Sequence, residues 1–144
     1  MQNIRSILVP VDFSTPSRAG VDLALELAKR FDAKVTLLHV WGLPVYAFPE
    51  GAFFGPEVLS RLTSAAQDAV DKLVAEVSGK GIGVSGVSVI GTPAEEIVER
   101  AKTGGFDLVV MGTHGRTGLP HVLLGSVAER VVRLATCPVL TVRG

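Results

Sequence analysis

The sequence predicts an α/β fold in which a parallel sheet is covered by helices on both faces. Two observations support this prediction. Short apolar runs alternate with stretches of helical periodicity in the order β-α-β-α-β-α-β-α-β. The chain has 144 residues, of which 47% are hydrophobic and 19% charged. We therefore expect residues 1–144 to form a single domain with a packed core, in which right-handed crossovers join the strands.

The first half of the chain contains two predicted strands and two predicted helices. Residues 7–11 form an apolar, β-branched run that ends at Asp12, and the sequence Ser14-Thr15-Pro16 then indicates the start of a helix. Residues 35–40 are the second predicted strand, and residues 58–77 have the periodicity of a long amphipathic helix. Between them, Trp41–Pro56 holds five aromatic residues and three prolines. We interpret it as a long connection, either a loop that folds over the core or a lid or partner surface.

The second half of the chain continues the alternation. The predicted strands are 84–90, 106–111 and 139–142, and the predicted helices end near Thr103 and Ala135. Two Ser/Thr-x-x-Glu patterns, Thr92–Glu95 and Ser126–Glu129, predict capping boxes at the starts of these helices. In the second box, the Ser126 hydroxyl would accept from the N–H of Glu129.

A glycine-rich stretch separates the fourth strand from the last helix. Its glycines are at positions 112, 115, 118 and 125, and Ser126 follows the last of them. Glycine allows close backbone approach, and unpaired N–H groups at a helix N-terminus attract anions. The arrangement therefore predicts a phosphate-binding loop. Phosphate bound there would compete with the predicted capping box at Ser126. Its spacing, Gly-x2-Gly-x9-Gly-Ser, matches neither the Walker A motif nor the dinucleotide-binding fingerprint.

This spacing, together with Asp12 at the end of the first strand, resembles the nucleotide motif of the universal stress protein family in its ATP-binding branch. The resemblance covers essentially the whole chain. It implies a Rossmann-like open parallel five-stranded sheet of order 3-2-1-4-5. In that order Asp12 and Gly112 lie at the carboxyl ends of neighbouring strands, at the switch point where open α/β sheets bind ligands.

The resemblance also implies an ATP site, with Mg²⁺ neutralising the phosphates. The residues expected at the nucleoside are Pro10, Val11, Asp12, Val40 and Met111. Those expected at the ribose and phosphates are Gly112, His114, Gly115, Gly125, Ser126 and Val127. Three assignments have alternatives: Asp12 as a helix cap, His114 as a structural residue of the loop, and Arg116 as a solvated surface residue instead of a phosphate partner.

The sequence contains no evident catalytic machinery. No histidine, cysteine or carboxylate cluster has the spacing of metal ligands, and no serine has an obvious base. We therefore expect no catalytic residues and no metal bound by protein side chains. The expected function is that of a nucleotide-dependent regulatory protein of the stress response, with at most slow ATPase activity. The alternative functions are a non-nucleotide interaction module of the same fold and a slow ATPase.

Composition argues against several other partners. The formal net charge is zero, and no basic run favours nucleic acid. No apolar run is long enough to span a membrane, and no signal-peptide pattern opens the sequence. The single cysteine, Cys137, is expected to be a small core residue and fits a reducing compartment. These features lead us to expect a cytoplasmic protein.

The fifth strand is a candidate dimer interface. Residues 139–142 are apolar and β-rich, and no charge precedes Arg143. In the order 3-2-1-4-5 this strand lies at an edge, where unpaired backbone groups are a template for another chain. We expect a homodimer formed by antiparallel pairing of this strand with its twin, and the resemblance points the same way. The pairing residues would be Val139, Leu140, Thr141 and Val142.

Overall fold

The architecture consists of strands that alternate with helices along the chain. A computed structural model describes residues 3–43, 55–79, 81–114 and 124–144. The strands are β1 (Ser6–Pro10), β2 (Lys34–Trp41), β3 (Val84–Ile90), β4 (Leu108–Gly112) and β5 (Val139–Val142). The helices are α1 (Thr15–Phe31), α2 (Pro56–Val77), α3 (Pro93–Thr103) and α4 (Ser126–Leu134). Most of Trp41–Pro56 lies outside the described residues, so its interpretation as a lid or loop stays a prediction.

The strands form one parallel sheet in the order β3-β2-β1-β4-β5, which confirms the expected topology. β1 pairs with β2 from Ser6 to Pro10, and on its other side with β4 through Ile7 and Leu8. The chain leaves β1 and β4 towards opposite faces of the sheet, because α1 packs on one face and α4 on the other. A crevice therefore opens between the carboxyl ends of these two strands.

Two apolar layers cover the sheet. Alternate residues of a strand point to opposite faces, so Ile7 and Val9 face one layer whereas Leu8 faces the other. The first layer includes Val21 from α1 and Val70 from α2. The second includes residues of α3 and α4, and Cys137 packs against it as a partly buried free thiol. Burial raises the pKa of that thiol, as expected for a core cysteine.

The helix starts confirm one prediction and correct another. Pro16 lies in the first turn of α1, and the Ser14 hydroxyl accepts from the N–H of Ser17 at 3.2 Å as its N-cap. Thr92 is the N-cap of α3, but its side chain makes no capping hydrogen bond. The predicted capping box at Thr92 is therefore wrong. Glu95, its expected partner, instead forms an ion pair with Arg130 of α4.

The outer edge of β3 is covered by a side chain of α2. The Gln67 amide nitrogen donates to the Gly86 carbonyl at 3.3 Å, and its oxygen accepts from the Ser88 N–H at 3.0 Å. Gln67 thus replaces a neighbouring strand at this point. The close approach of α2 depends on Gly86, because a β-carbon there would collide with the side chains of Val70 and Val74.

In the described parts of the chain, no helix combines the length and the apolar character that a membrane span requires.

Candidate functional site

A cavity of about 300 Å³ lies at the carboxyl ends of β1 and β4, on the α3 and α4 side of the sheet. The structure brings ten of the predicted site residues together in its walls: Pro10, Val11, Asp12, Val40, Met111, Gly112, His114, Gly125, Ser126 and Val127. The other two, Gly115 and Arg116, lie outside the described residues, so their roles stay predictions. Residues from four separate parts of the sequence thus converge on one crevice.

The sequence reasoning missed six residues of the cavity wall. They are Ser17, Leu38, Pro93, Ile97, Thr113 and Ala128. Two of them, Thr113 and Ala128, adjoin predicted site residues, and their position beside the motif was an available signal. Pro93 and Ile97 come from α3, which reaches the cavity only because it packs against α4 and β2. That contact is tertiary and has no signature in the local sequence.

The Asp12 carboxylate is hydrogen-bonded to Ser14 at the start of α1, but Asp12 is not the N-cap of that helix. Its Oδ1 atom accepts from the Ser14 N–H at 3.0 Å and from the Ser14 hydroxyl. The capping oxygen of α1 is that of Ser14, so the alternative role of Asp12 as the helix cap is excluded. The half-buried carboxylate of Asp12 stands in the cavity wall as an acceptor whose orientation is fixed by its neighbour.

The turn after Asp12 has an unusual backbone. Phe13 has a φ of 64°, in the left-handed region that bulky residues rarely occupy. Its ring lies 4.8 Å from the His39 ring, and His39 Nδ1 is 3.0 Å from the Val11 carbonyl oxygen. These contacts, together with the bonds between Asp12 and Ser14, hold the turn in a strained conformation next to the cavity.

The N-terminus of α4 differs from the prediction. Its N-cap is Gly125, with a φ of −66°, and not Ser126, which is the first helical residue. The Glu129 N–H donates to the Gly125 carbonyl at 2.9 Å, and the Glu129 carboxylate pairs with Arg133. The predicted capping box at Ser126 is therefore wrong, and so is the predicted competition between it and phosphate. Among the residues that the structure describes, no side chain caps this helix end.

This uncapped end leaves backbone donors at the cavity. The N–H groups of Ser126, Val127 and Ala128 have no acceptor among the residues that the structure describes, and all three residues line the cavity. Unpaired N–H groups and the positive end of the helix dipole together favour an anion at this place.

Thr113 links the uncapped helix end to the sheet. Its N–H donates to the Val142 carbonyl of β5 at 2.9 Å, and its carbonyl accepts from the Gly125 N–H at 2.6 Å. Its side chain is 5% exposed, and its hydroxyl lies 3.0 Å from His114 Nδ1. The two ends of the glycine-rich stretch are thus joined to each other and to the edge strand.

The described cation that is nearest in sequence to the glycine-rich stretch is engaged elsewhere. Arg130 of α4 lies 3.6 Å from the Glu95 carboxylate of α3 and does not line the cavity. The described walls combine an apolar part (Leu38, Val40, Ile97 and Met111) with the backbone donors of α4 and the carboxylate of Asp12. Such a site suits a ligand with an apolar or aromatic group at one end and an anion at the other.

The chain is similar to many known proteins. The family model of the universal stress protein family matches residues 3–143. Universal stress protein MJ0531 from Methanocaldococcus jannaschii is 40% identical over 142 residues, which cover 96% of this chain and 82% of that protein.

Solved structures agree with the sequence comparison. The structure of hypothetical protein MJ0577, also from Methanocaldococcus jannaschii, has a TM-score of 0.77 at 34% identity and covers 99% of this chain and 98% of that one. A universal stress protein from Archaeoglobus fulgidus, in complex with dAMP, has a TM-score of 0.63 at 22% identity, with coverages of 98% and 99%. The second similarity shows a shared fold alone.

Proposed function

Because the chain belongs to the universal stress protein family, we propose that it binds ATP in the cavity between β1 and β4 and acts as a nucleotide-dependent regulatory protein. The observation that carries this proposal is the N-terminus of α4, where the N–H groups of Ser126, Val127 and Ala128 have no acceptor among the described residues. These three residues line the same cavity as the Asp12 carboxylate. The Archaeoglobus fulgidus protein, which has the same fold, was solved in complex with dAMP.

The two ends of the cavity fit different parts of ATP. The apolar residues Leu38, Val40 and Ile97 suit the adenine ring, and Asp12 can accept from a ribose hydroxyl or the adenine amine. The phosphates would accept from the N–H groups at the start of α4. Gly115 and Arg116 are proposed as further phosphate contacts on sequence grounds alone.

Magnesium would be held mainly by the nucleotide. Among the described residues, no group of three or more His, Cys, Asp and Glu side chains is arranged to hold a metal ion. Mg²⁺ usually keeps several waters and binds through substrate phosphates with one or two carboxylates. Bound to the phosphates, it would offset their negative charge.

We propose binding, and not rapid turnover, as the main activity. The described cavity wall is mostly apolar side chains and backbone, which hold a ligand without activating a water molecule. The protein would then act in the cytoplasm by changing its interactions according to nucleotide occupancy.

We further propose that the protein is a homodimer joined through β5. This strand is an edge of the sheet, and Leu140 is 38% exposed. Val109 of β4 and Thr113, the residue after β4, donate to the carbonyls of Pro138 and Val142. The N–H and C=O groups of Val139 and Thr141 therefore point to the open side. Those groups are available for antiparallel pairing with a second copy.

Calorimetric titration with ATP tests the nucleotide assignment, and the chain offers a matched pair of glycines. Gly125 and Gly55 are both helix N-caps with extended backbone, at φ −66° and ψ 165° and at φ −61° and ψ 155° respectively. Valine tolerates this conformation, so neither Gly125→Val nor Gly55→Val should unfold the protein. Of these two glycines, Gly125 lines the cavity and Gly55 does not. A side chain added at Gly125 would obstruct the backbone donors.

The expected result is ATP binding by the unmodified protein and by the Gly55→Val protein, and no measurable binding by the Gly125→Val protein. Equal ATP affinity in all three proteins would contradict the phosphate site. Absence of ATP binding by the unmodified protein would favour the non-nucleotide interaction module.

A further inference from the structure

Asp12, Ser14 and Ser17 form a closed ring of hydrogen bonds beside the cavity. Asp12 Oδ1 accepts from the N–H and the hydroxyl of Ser14, and the Ser14 hydroxyl oxygen accepts from the Ser17 N–H at 3.2 Å. The Asp12 N–H in turn donates to the Ser17 hydroxyl oxygen at 3.1 Å. The ring fixes both the backbone and the carboxylate of Asp12.

Among the described residues, one acceptor and one donor of the ring have no hydrogen-bond partner. Both bonds to the Asp12 carboxylate go to Oδ1, and Oδ2 has no donor among the described residues. A serine hydroxyl can donate one hydrogen bond and accept two. The Ser17 hydroxyl accepts from Asp12, but its own proton has no acceptor in the described parts of the chain.

The Ser17 hydroxyl is buried in the cavity wall, where a donor without a partner is unfavourable. The residue is only 6% exposed, and both Ser17 and Asp12 line the cavity. Helix capping needs the hydroxyl of Ser14, but it does not need that of Ser17, which lies inside α1. A buried hydroxyl whose proton is unpaired costs free energy unless a water or a ligand accepts it.

We propose that Ser17 is a ligand-binding residue of this cavity and that Ser14 is a positioning residue that directs Asp12 towards the same ligand group. The inference rests on the proposed nucleotide function and extends it. A ligand group that bonds to both residues must accept a hydrogen bond from the Ser17 hydroxyl and donate one to Asp12 Oδ2. A sugar hydroxyl can do both. The pair is therefore assigned to a ribose hydroxyl.

The test compares ATP with its 2′-deoxy and 3′-deoxy analogues by calorimetric titration. The unmodified protein should bind one of the two analogues more weakly than ATP, by about 10-fold or more, because two hydrogen bonds are lost. Ser17→Ala should weaken ATP by about 3- to 10-fold but leave the affinity for that analogue unchanged. Ser17→Thr, which keeps the hydroxyl, should restore discrimination between the two nucleotides.

Double variants separate contact from positioning. Ser14→Ala should weaken ATP binding in the unmodified background and have no further effect in an Asp12→Ala background, because Ser14 acts through Asp12. Ser17→Ala should keep part of its effect in that background. Ser64→Ala, at an exposed serine of α2, is the control and should leave ATP affinity unchanged.

The outcomes distinguish this inference from the function on which it rests. Absence of ATP binding by the unmodified protein would overturn both. ATP binding that is equally tight for both deoxy analogues would overturn the ribose assignment alone, and this measurement does not depend on any variant folding. ATP affinity unchanged by Ser17→Ala would also overturn the inference and leave the nucleotide site intact.

Discussion

Gly112 packs so closely against Pro16 that a β-carbon at position 112 would lie 2.6 Å from the carbonyl carbon and oxygen of Pro16. The contact joins the end of β4 to the first turn of α1, and both elements contribute residues to the cavity wall. Gly112 is therefore required for clearance between two backbones, and its φ lies outside the left-handed region.

We predict that Gly112→Ala destabilises the protein by about 1–3 kcal/mol, since backbone cannot move aside as a flexible side chain can. Urea denaturation measures the change in the free energy of unfolding. Gly42→Ala is the matched control, because the nearest atom to a β-carbon there is 4.0 Å away. Equal stability of the two variants would show that the strand and helix separate at no cost.

Asp107 predicts a specific dependence of stability on pH. The N–H of Arg5 donates to its carboxylate at 2.8 Å, and the N–H and hydroxyl of Ser6 add two more bonds. These hydrogen bonds, chiefly that from Arg5, lower the pKa of Asp107 below its ordinary value of 3.8. A depressed pKa stabilises the fold at pH values above 3.8, and this contribution is lost as the pH falls through the pKa of the folded state.

We therefore expect Asp107→Asn to lower the free energy of unfolding near neutral pH and to approach the unmodified protein in acid. Denaturation at a series of pH values measures both curves. Asp32→Asn is the control, because Asp32 makes no side-chain hydrogen bond within the described chain and asparagine tolerates its φ of 55°. Parallel curves for Asp107→Asn and the unmodified protein would rule out this linkage.

A substitution at the open edge of β5 should disrupt the proposed dimer. The N–H of Thr141 points away from β4, so Thr141→Pro removes a donor from the edge without breaking the ladder. We expect a monomer that keeps its circular dichroism spectrum. Leu140→Pro is the contrasting variant, since Leu140 bonds to β4 and its loss should destabilise the sheet.

Light scattering at tens of micromolar protein measures the oligomeric state. A monomeric unmodified protein would refute the dimer. A Thr141→Pro protein that stays dimeric would place the interface elsewhere.

The edge of β3 is covered by Gln67, so a substitution that uncovers it should increase association and not reduce it. Gln67→Leu removes both hydrogen bonds to the edge and should cost about 1 kcal/mol of stability while increasing association at high concentration. Denaturation and size-exclusion chromatography measure the two effects. Asp68→Leu adds the same apolar side chain at the next, exposed position and should change neither. Identical behaviour of the two variants would mean that Gln67 does not protect the edge.

The sequence by itself determined the alternation of strands and helices and the residues at the carboxyl ends of β1 and β4. These features are local, because apolar periodicity and glycine spacing can be read within one segment. Asp12 and Gly112 can be identified in this way, because each ends an apolar run of the sequence. The strand order came from the family resemblance, and the register that brings these residues to one crevice is a property of the assembled sheet.

Only the tertiary structure decided which backbone groups remain unpaired. The pattern Ser126-x-x-Glu129 allows a capping box, but the helix begins one residue earlier. The Glu129 N–H donates to the carbonyl of Gly125, whose own N–H is bonded to the distant Thr113 carbonyl. The bond of Gln67 to β3 and the burial of Ser17 in the cavity likewise join segments far apart in the chain. Local patterns permit several hydrogen-bond partners of similar free energy, and packing between distant segments selects among them.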